Sequence, residues 1–239
     1  LLTVASGLES AVVGEREITG QVRRALAAAQ AKAQEDGVPL PGELVQLFEH
    51  AAHTARQVGQ HTALGAQGRS IVSVALDLAD EVAEKDWSTR RALIFGTGAY
   101  AGATIAALRE RGCTDIWVNS RSGRAAEFAA KREVSAVPVD GMEQAMASAD
   151  VIIGCSGGSD PLLPEQIPGG HHTILDLALS RDFDPSVADL PNVELITLES
   201  VRLAAPEETE ESVATATRIV ESELAAFVSR QRSRTIDSA

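Results

Sequence analysis

The chain has 239 residues, 44% of them hydrophobic, and a formal net charge of -13. That length allows one large or two modest domains with a real core, and the acidic balance excludes a broad basic face, so an RNA partner would need a local patch. No apolar run is long enough to span a bilayer, and Cys113 and Cys155 fall in different predicted elements without disulfide or metal spacing, which fits a reducing cytosol.

The chain opens on Leu1-Leu2-Thr3-Val4 with neither an initiator Met nor a charged leader, and its far end runs out in Arg230-Gln231-Arg232-Ser233-Arg234, so both ends read as cut. Leu1 to Leu8 is apolar and small, and Ser10 to Gln21 mixes polar groups with Gly14 and Gly20. Ile18, Val22, Leu26 and Ala29 recur at helical spacing and predict a helix from near Glu15 to just before Gly37, with Pro39 and Pro41 marking a loop. Leu44, Leu47, Phe48, Ala51, Ala52, Ala55 and Val58 lay down a second helical stripe, and Ile71, Val74, Ala75, Leu78 and Val82 a third. His50 and His53 share a helix face with His61 nearby, but the pattern supplies no matching acid or cysteine pair, so they read as surface residues rather than zinc ligands.

After a polar hinge at Lys85-Asp86-Trp87-Ser88, strands and helices alternate. Strands are expected at Ala92 to Phe95, Ile116 to Val118, Val134 to Val137, Val151 to Gly154, Thr173 to Leu177 and Val193 to Ile196. Their near-continuous apolar character is what a parallel sheet covered on both faces requires. Ile105-Leu108 and Met142-Ala145-Met146 supply covering helices, so the fold class is α/β with a doubly wound parallel sheet.

The first strand breaks into Gly96-Thr97-Gly98-Ala99-Tyr100-Ala101 and then becomes helical. Gly96 permits a sharp turn, Gly98 lets a pyrophosphate approach the main chain, and small Ala101 lets the helix pack on the strand; the helix N-terminus would hold the phosphates. About 20 residues on, where such units read the ribose, the second strand ends in Asn119-Ser120-Arg121-Ser122, and no acid occurs from Ile116 to Ala126. An NAD site would want a carboxylate there. Ser120, Arg121, Ser122 and Arg124 instead offer donors and positive charge suited to an extra 2′-phosphate, which favours NADP.

Cys155 follows the fourth strand at the edge where cofactors bind, but no base stands beside it in sequence, so a nucleophilic role is the minor reading. Cys113 reads as a packing residue and His171-His172 as loop. Asp176 to Pro185 runs from a strand into an acidic loop, read equally as an Asx-type turn with Arg181 paired to an acid and as a wall of the cofactor cleft. From Pro206, acids Glu207, Glu208, Glu210 and Glu211 lead a long helical pattern through Val213, Ala216, Ile219, Val220, Leu224, Phe227 and Val228, and arginines finish it, as the helix dipole favours. It reads as a spine to a further domain or a dimer contact rather than part of the sheet's core. The expected divisions are 1–84, helical; 85–203, nucleotide-binding; and 204–239, a linking helix.

Taken together, Val4-Ala5-Ser6-Gly7-Leu8-Glu9-Ser10, Gly14-Glu15-Arg16-Glu17-Ile18-Thr19-Gly20-Gln21-Val22, the glycine turn, Val118-Asn119-Ser120-Arg121 and Asp176 to Pro185 resemble the glutamyl-tRNA reductases over nearly the whole chain. The resemblance implies a Rossmann-like NADP-binding domain, preceded by a helical part of the catalytic domain and followed by a long spinal helix. It implies reduction of glutamyl-tRNA by NADPH to glutamate-1-semialdehyde, the first step of the five-carbon route to tetrapyrroles, by a cytoplasmic homodimer that has the downstream aminomutase as a partner. It also implies that Ser10, Glu15, Arg16, Glu17 and Gln21 bind the glutamyl moiety, that Gly96, Thr97, Gly98, Ala99, Tyr100 and Ala101 form the phosphate turn, and that Ser120, Arg121 and Ser122 hold the adenosine end. Glu17 departs from the family, which usually carries glutamine there. The nucleophilic cysteine and a histidine of the family would precede Leu1, so the chain as given should hold NADP(H) without turning over. Two other readings are a shikimate/quinate-type NADP dehydrogenase, which would need a lysine and aspartate pair in an N-terminal α/β domain, and a non-catalytic NADP-binding protein.

Overall fold

A computed structural model describes residues 1–15, 17–64, 70–82, 85–138, 140–158, 160–205 and 209–237. Arg16 and the segment Pro206-Glu207-Glu208 lie outside the described residues. The helices are α1 (Leu2–Ala5), α2 (Glu17–Asp36), α3 (Gly42–His61), α4 (Ile71–Glu81), α5 (Ala99–Glu110), α6 (Ala125–Ala130), α7 (Met142–Ser148), α8 (Leu198–Ala204) and α9 (Glu210–Asp237). The strands are β1 (Arg91–Phe95), β2 (Asp115–Asn119), β3 (Ser135–Ala136), β4 (Val151–Gly154), β5 (His172–Asp176) and β6 (Val193–Thr197). The chain divides into two compact units, a helical one of Leu1–Ser70 with Pro206–Ala239 and a sheet unit of Ile71–Ala205.

In the helical unit, Leu2, Ala5, Val22, Ala51, Val58, Leu64, Ala216 and Val220 form one buried cluster. Ala216 and Val220, four residues apart on α9, lie on the stripe that faces α3, so the near half of the long helix is a core element of this unit. His50 is not a surface residue. Its Nε2 lies 2.9 Å from the Glu223 carbonyl and 3.3 Å from the Glu223 carboxylate, and its ring stacks on Phe227. The acid that the local sequence lacked thus comes from α9, although no group of three His, Cys, Asp or Glu side chains among the described residues is arranged to hold a metal.

The sheet is six-stranded and parallel, in the order β3-β2-β1-β4-β5-β6, so the doubly wound expectation holds. Leu93, Ile94, Ile152, Ile153, Ile174 and Leu175 are fully buried in its central strands, each stabilising the fold by roughly 1.5–3 kcal/mol. β3 shrinks to two residues, as an edge strand can. His172 opens β5 instead of lying in a loop, buried with Nδ1 2.8 Å from the Ala149 carbonyl. Helix α4 belongs to the sheet unit and packs on α5, α8, β5 and β6. The boundary therefore falls at 70/71 rather than 84/85, because six of its residues, from Ile71 to Ala79, are buried and need a sheet face to cover.

β1 and β4 are neighbours at the centre, where the strand order reverses. The chain leaves β1 at Gly96 with φ +119°, and a Cβ there would stand 2.8 Å from the Cys155 carbonyl oxygen. Only glycine meets both demands. Gly96→Ala should therefore cost about 3 kcal/mol of stability, read as a lowered denaturant midpoint in urea unfolding.

Candidate functional site

The cleft of the sheet unit lies at the carboxyl ends of β1 and β4, the switch point where ligands of such sheets bind. Gly98 is the N-cap of α5, and a Cβ on it would meet nothing within 4 Å. The backbone at the start of α5 therefore has room beside Gly98, and no acid sits in the first turn. Thr97 Oγ1 is buried with no hydrogen-bond partner among the described residues. An unpaired buried hydroxyl is costly, and a phosphate oxygen on the turn would satisfy it. Ala101 is fully buried where α5 meets the sheet. Ala99 is exposed and Tyr100 half-buried.

Beyond β2, Ser120 Oγ lies 2.8 Å from Ser122 Oγ, and Arg124 Nε donates to Ser122 Oγ at 2.9 Å. Two hydroxyls and a guanidinium thus gather on an exposed loop without an acid. Arg121 does not join them. Its Nη1 donates to the Asp160 carbonyl at 2.9 Å, and its Nη2 lies 3.4 Å from Ser156 Oγ and 3.7 Å from Asp182 Oδ1. Arg124, which the acid-free loop offers beside Arg121, is the cation that stays with the two hydroxyls.

Two buried carboxylates brace the cleft from the β5 side. Asp176 accepts the backbone N–H groups of Ala178, Asp182 and Phe183, as in an Asx-type turn; burial nevertheless raises its pKa above the ordinary 3.8. Asp182 accepts the Ser156 N–H at 2.6 Å and hydroxyl at 2.5 Å, with the Gly158 N–H at 3.4 Å. The loop after β5 is thus both a capped turn and the support of the loop after β4. Phe183 anchors it below, edge-on to Phe95 with ring centroids 6.0 Å apart. Cys155 is no nucleophile: burial pushes its thiol up to about 12, the Asp182 and Asp176 charges add to the rise, and only Thr104 opposes it. A thiolate does not form there. Cys113 is buried too, its thiol raised by desolvation, and its Sγ donates to the Arg90 carbonyl.

In the helical unit, Ser10 Oγ donates to Glu15 Oε2 at 3.0 Å, and Glu15 is buried. Glu17 opens α2, with Oε2 buried and unpartnered among the described residues. Burial first and the Glu15 charge second raise its pKa above 4.5, while Arg24 lowers it. Glu17, Gln21 and Arg24 recur at i, i+4 and i+7 and so share one face of α2. Ser10, Glu15 and Glu17 are therefore brought together, Gln21 lies on the face of Glu17, and Arg24 is an added cation that the periodicity could have revealed. Such a set offers acids and donors to a ligand carrying an ammonium and a carboxylate.

Residues 1–62 match the family model described as the glutamyl-tRNAGlu reductase N-terminal domain, and residues 77–204 that described as shikimate / quinate 5-dehydrogenase. A glutamyl-tRNA reductase from Kocuria rhizophila is 63% identical over 239 residues, all of this chain and 54% of the relative. The chain belongs to the glutamyl-tRNA reductase family. The glutamyl-tRNA reductase of Renibacterium salmoninarum is 52% identical over 248 residues, covering all of this chain and 55% of its own length. The chain thus spans about half the length of the curated relatives it matches. Among solved structures, glutamyl-tRNA reductase from Methanopyrus kandleri aligns with a TM-score of 0.52 at 25% identity, over 96% of this chain and 59% of that one. The shikimate / quinate match is confined to 77–204, and the described residues of the helical unit contain no strand to build the N-terminal α/β domain of such a dehydrogenase.

The raised pKa of Glu17 makes the helical unit pH-sensitive. The folded chain holds that proton to higher pH than the unfolded chain does, so the stability it contributes is complete below about 4.5 and is lost as pH rises through the folded value. Glu17→Gln lacks this loss. Its melting temperature relative to the parent should rise between about pH 4 and about pH 7, and a constant difference across that range would contradict the assignment.

Proposed function

We propose that this chain supplies the cofactor-binding and glutamyl-recognising parts of an NADPH-dependent glutamyl-tRNA reductase, which makes glutamate-1-semialdehyde for tetrapyrrole synthesis. The observation that carries the reading is the 63% identity spanning both units, because a doubly wound sheet alone is common to many dehydrogenases. NADPH, when bound, supplies the hydride that reduces an activated acyl group. The Gly96 to Ala101 turn would hold its diphosphate on the α5 N-terminus, with Thr97 Oγ1 donating to a phosphate oxygen. Ser120, Ser122 and Arg124 would take the 2′-phosphate, which the acid-free composition of that loop supports. Glu15 and Glu17 would pair with the α-ammonium of the glutamyl group, with Ser10, Arg16 and Gln21 completing the pocket and Arg24 drawing its carboxylate.

In this reading the attacking thiolate is neither Cys155 nor Cys113, whose surroundings suppress ionisation. It comes from a cysteine preceding Leu1, with a histidine close to it. The intact enzyme is read as a cytoplasmic homodimer that acts on glutamyl-tRNA and passes its aldehyde to the downstream aminomutase. No described helix is long and apolar enough to cross a membrane.

Two measurements test this. Joined to the segments that the Kocuria relative carries outside the matched region, the chain should form the semialdehyde from glutamyl-tRNA and NADPH, whereas the chain alone should not. A folded, NADPH-bound extended protein that stays silent would turn the reading to a non-catalytic binding protein. Arg124→Ala should raise the dissociation constant of the chain for NADPH by about tenfold with little effect on NADH, followed by nicotinamide fluorescence; equal losses would remove the 2′-phosphate assignment.

A further inference from the structure

We propose that Leu179 is the apolar platform for the nicotinamide end of the dinucleotide; this rests on the NADPH reading of the same cleft. Leu179 lies three residues past β5 and is 96% exposed, more than any other large hydrophobic residue among the described residues. Leaving a leucine in water forgoes the gain of burying it, and the loop that carries this one is built to keep it out. Asp176 accepts the backbone N–H groups of Ala178, Asp182 and Phe183, which lie on both sides of Leu179. The Arg181 N–H donates back to the Ala178 carbonyl at 3.3 Å and closes the tip. Arg181 itself holds φ +51°, a conformation that persists in a residue with a side chain only where its surroundings fix it.

The tip is also tied to the cleft. Ser180 Oγ lies 3.5 Å from the place that a Cβ on Gly157 would take, in the loop after β4. Beyond the tip, Asp182 accepts the Ser156 N–H and hydroxyl, and its own carbonyl accepts the Leu162 N–H at 2.8 Å. The loop after β4 in turn meets the glycine turn, where the Cys155 carbonyl oxygen stands 2.8 Å from the place of a Cβ on Gly96. Contacts thus run without a break from the turn to the tip.

The strand order says which end of the cofactor comes here. A dinucleotide lies across the switch point, with its adenosine ribose read after β2. β2 and β4 flank β1 on opposite sides, and β5 lies beyond β4. The half of the cofactor past the diphosphate therefore extends over the loops after β4 and β5. That half carries the nicotinamide, a ring with apolar faces, and a leucine held out at that edge gives one of them a surface to rest on. The opposite face stays free to deliver its hydride, and a ring held in one orientation is what the transfer requires.

The test is calorimetric binding of NADPH, NADH and 2′-phospho-ADP-ribose, which is NADPH without its nicotinamide. Leu179→Ala should raise the dissociation constants of NADPH and NADH by about fivefold and leave that of 2′-phospho-ADP-ribose unchanged. Leu179→Met, which keeps the volume, should retain most of the affinity. Because the side chain is exposed, both variants should melt at the parent's temperature without ligand, so any loss is one of binding. Equal loss with all three ligands, or no loss with NADPH, overturns the platform. A parent chain that binds none of the three ends the NADPH reading itself, and the platform falls with it.

Discussion

A parallel sheet delivers every strand to the same edge, and here the chain order reverses between β1 and β4, so two loops leave that edge in opposite directions and leave a cleft between them. The cleft exists only if the loops stay at a fixed separation. Gly96 sets that separation on one side by letting the turn come within van der Waals reach of the Cys155 carbonyl. Asp176 and Asp182 set it on the other. Each buried carboxylate is surrounded by N–H or O–H donors, so burial costs less than it would for a bare charge, and the donors belong to the loops that must be held. The glycine turn after β1, the loop after β4 and the placement of Arg121 all depend on that framework.

Charge is distributed by place rather than by average. The chain as a whole is strongly acidic, yet the loop after β2 is free of acids and carries Arg121 and Arg124, a local cationic rim of the kind that suits an anion. The helical unit reverses this, gathering the charges of Glu15 and Glu17 and leaving one Glu17 carboxyl oxygen without a hydrogen-bond partner among the described residues. One polypeptide thus carries a cationic rim on one unit and an acidic cluster on the other.

Much of this was legible in the sequence because the signals were local. The six apolar runs became six strands, and the glycines after the first marked the turn. Cys155 stands at the right edge of the sheet for a nucleophile, and burial beside two acids agrees with the minor weight given to that role. What spacing along the chain could not show has one cause. His50 was read as a surface residue because its carboxylate partner, Glu223, lies on another helix. Arg121 and Arg124 looked interchangeable on one loop, and only their partners separate them.

The amino-acid order alone determined the parallel sheet, the glycine turn after β1, the missing acid after β2 and the polar motif near the start of the chain, since each is written in neighbouring residues or a short period. Tertiary structure decided which helix covers which surface, that burial holds both thiols protonated, and where a long flexible guanidinium comes to rest. These depend on desolvation and on partners far away in sequence, and neither quantity is carried by spacing along the chain.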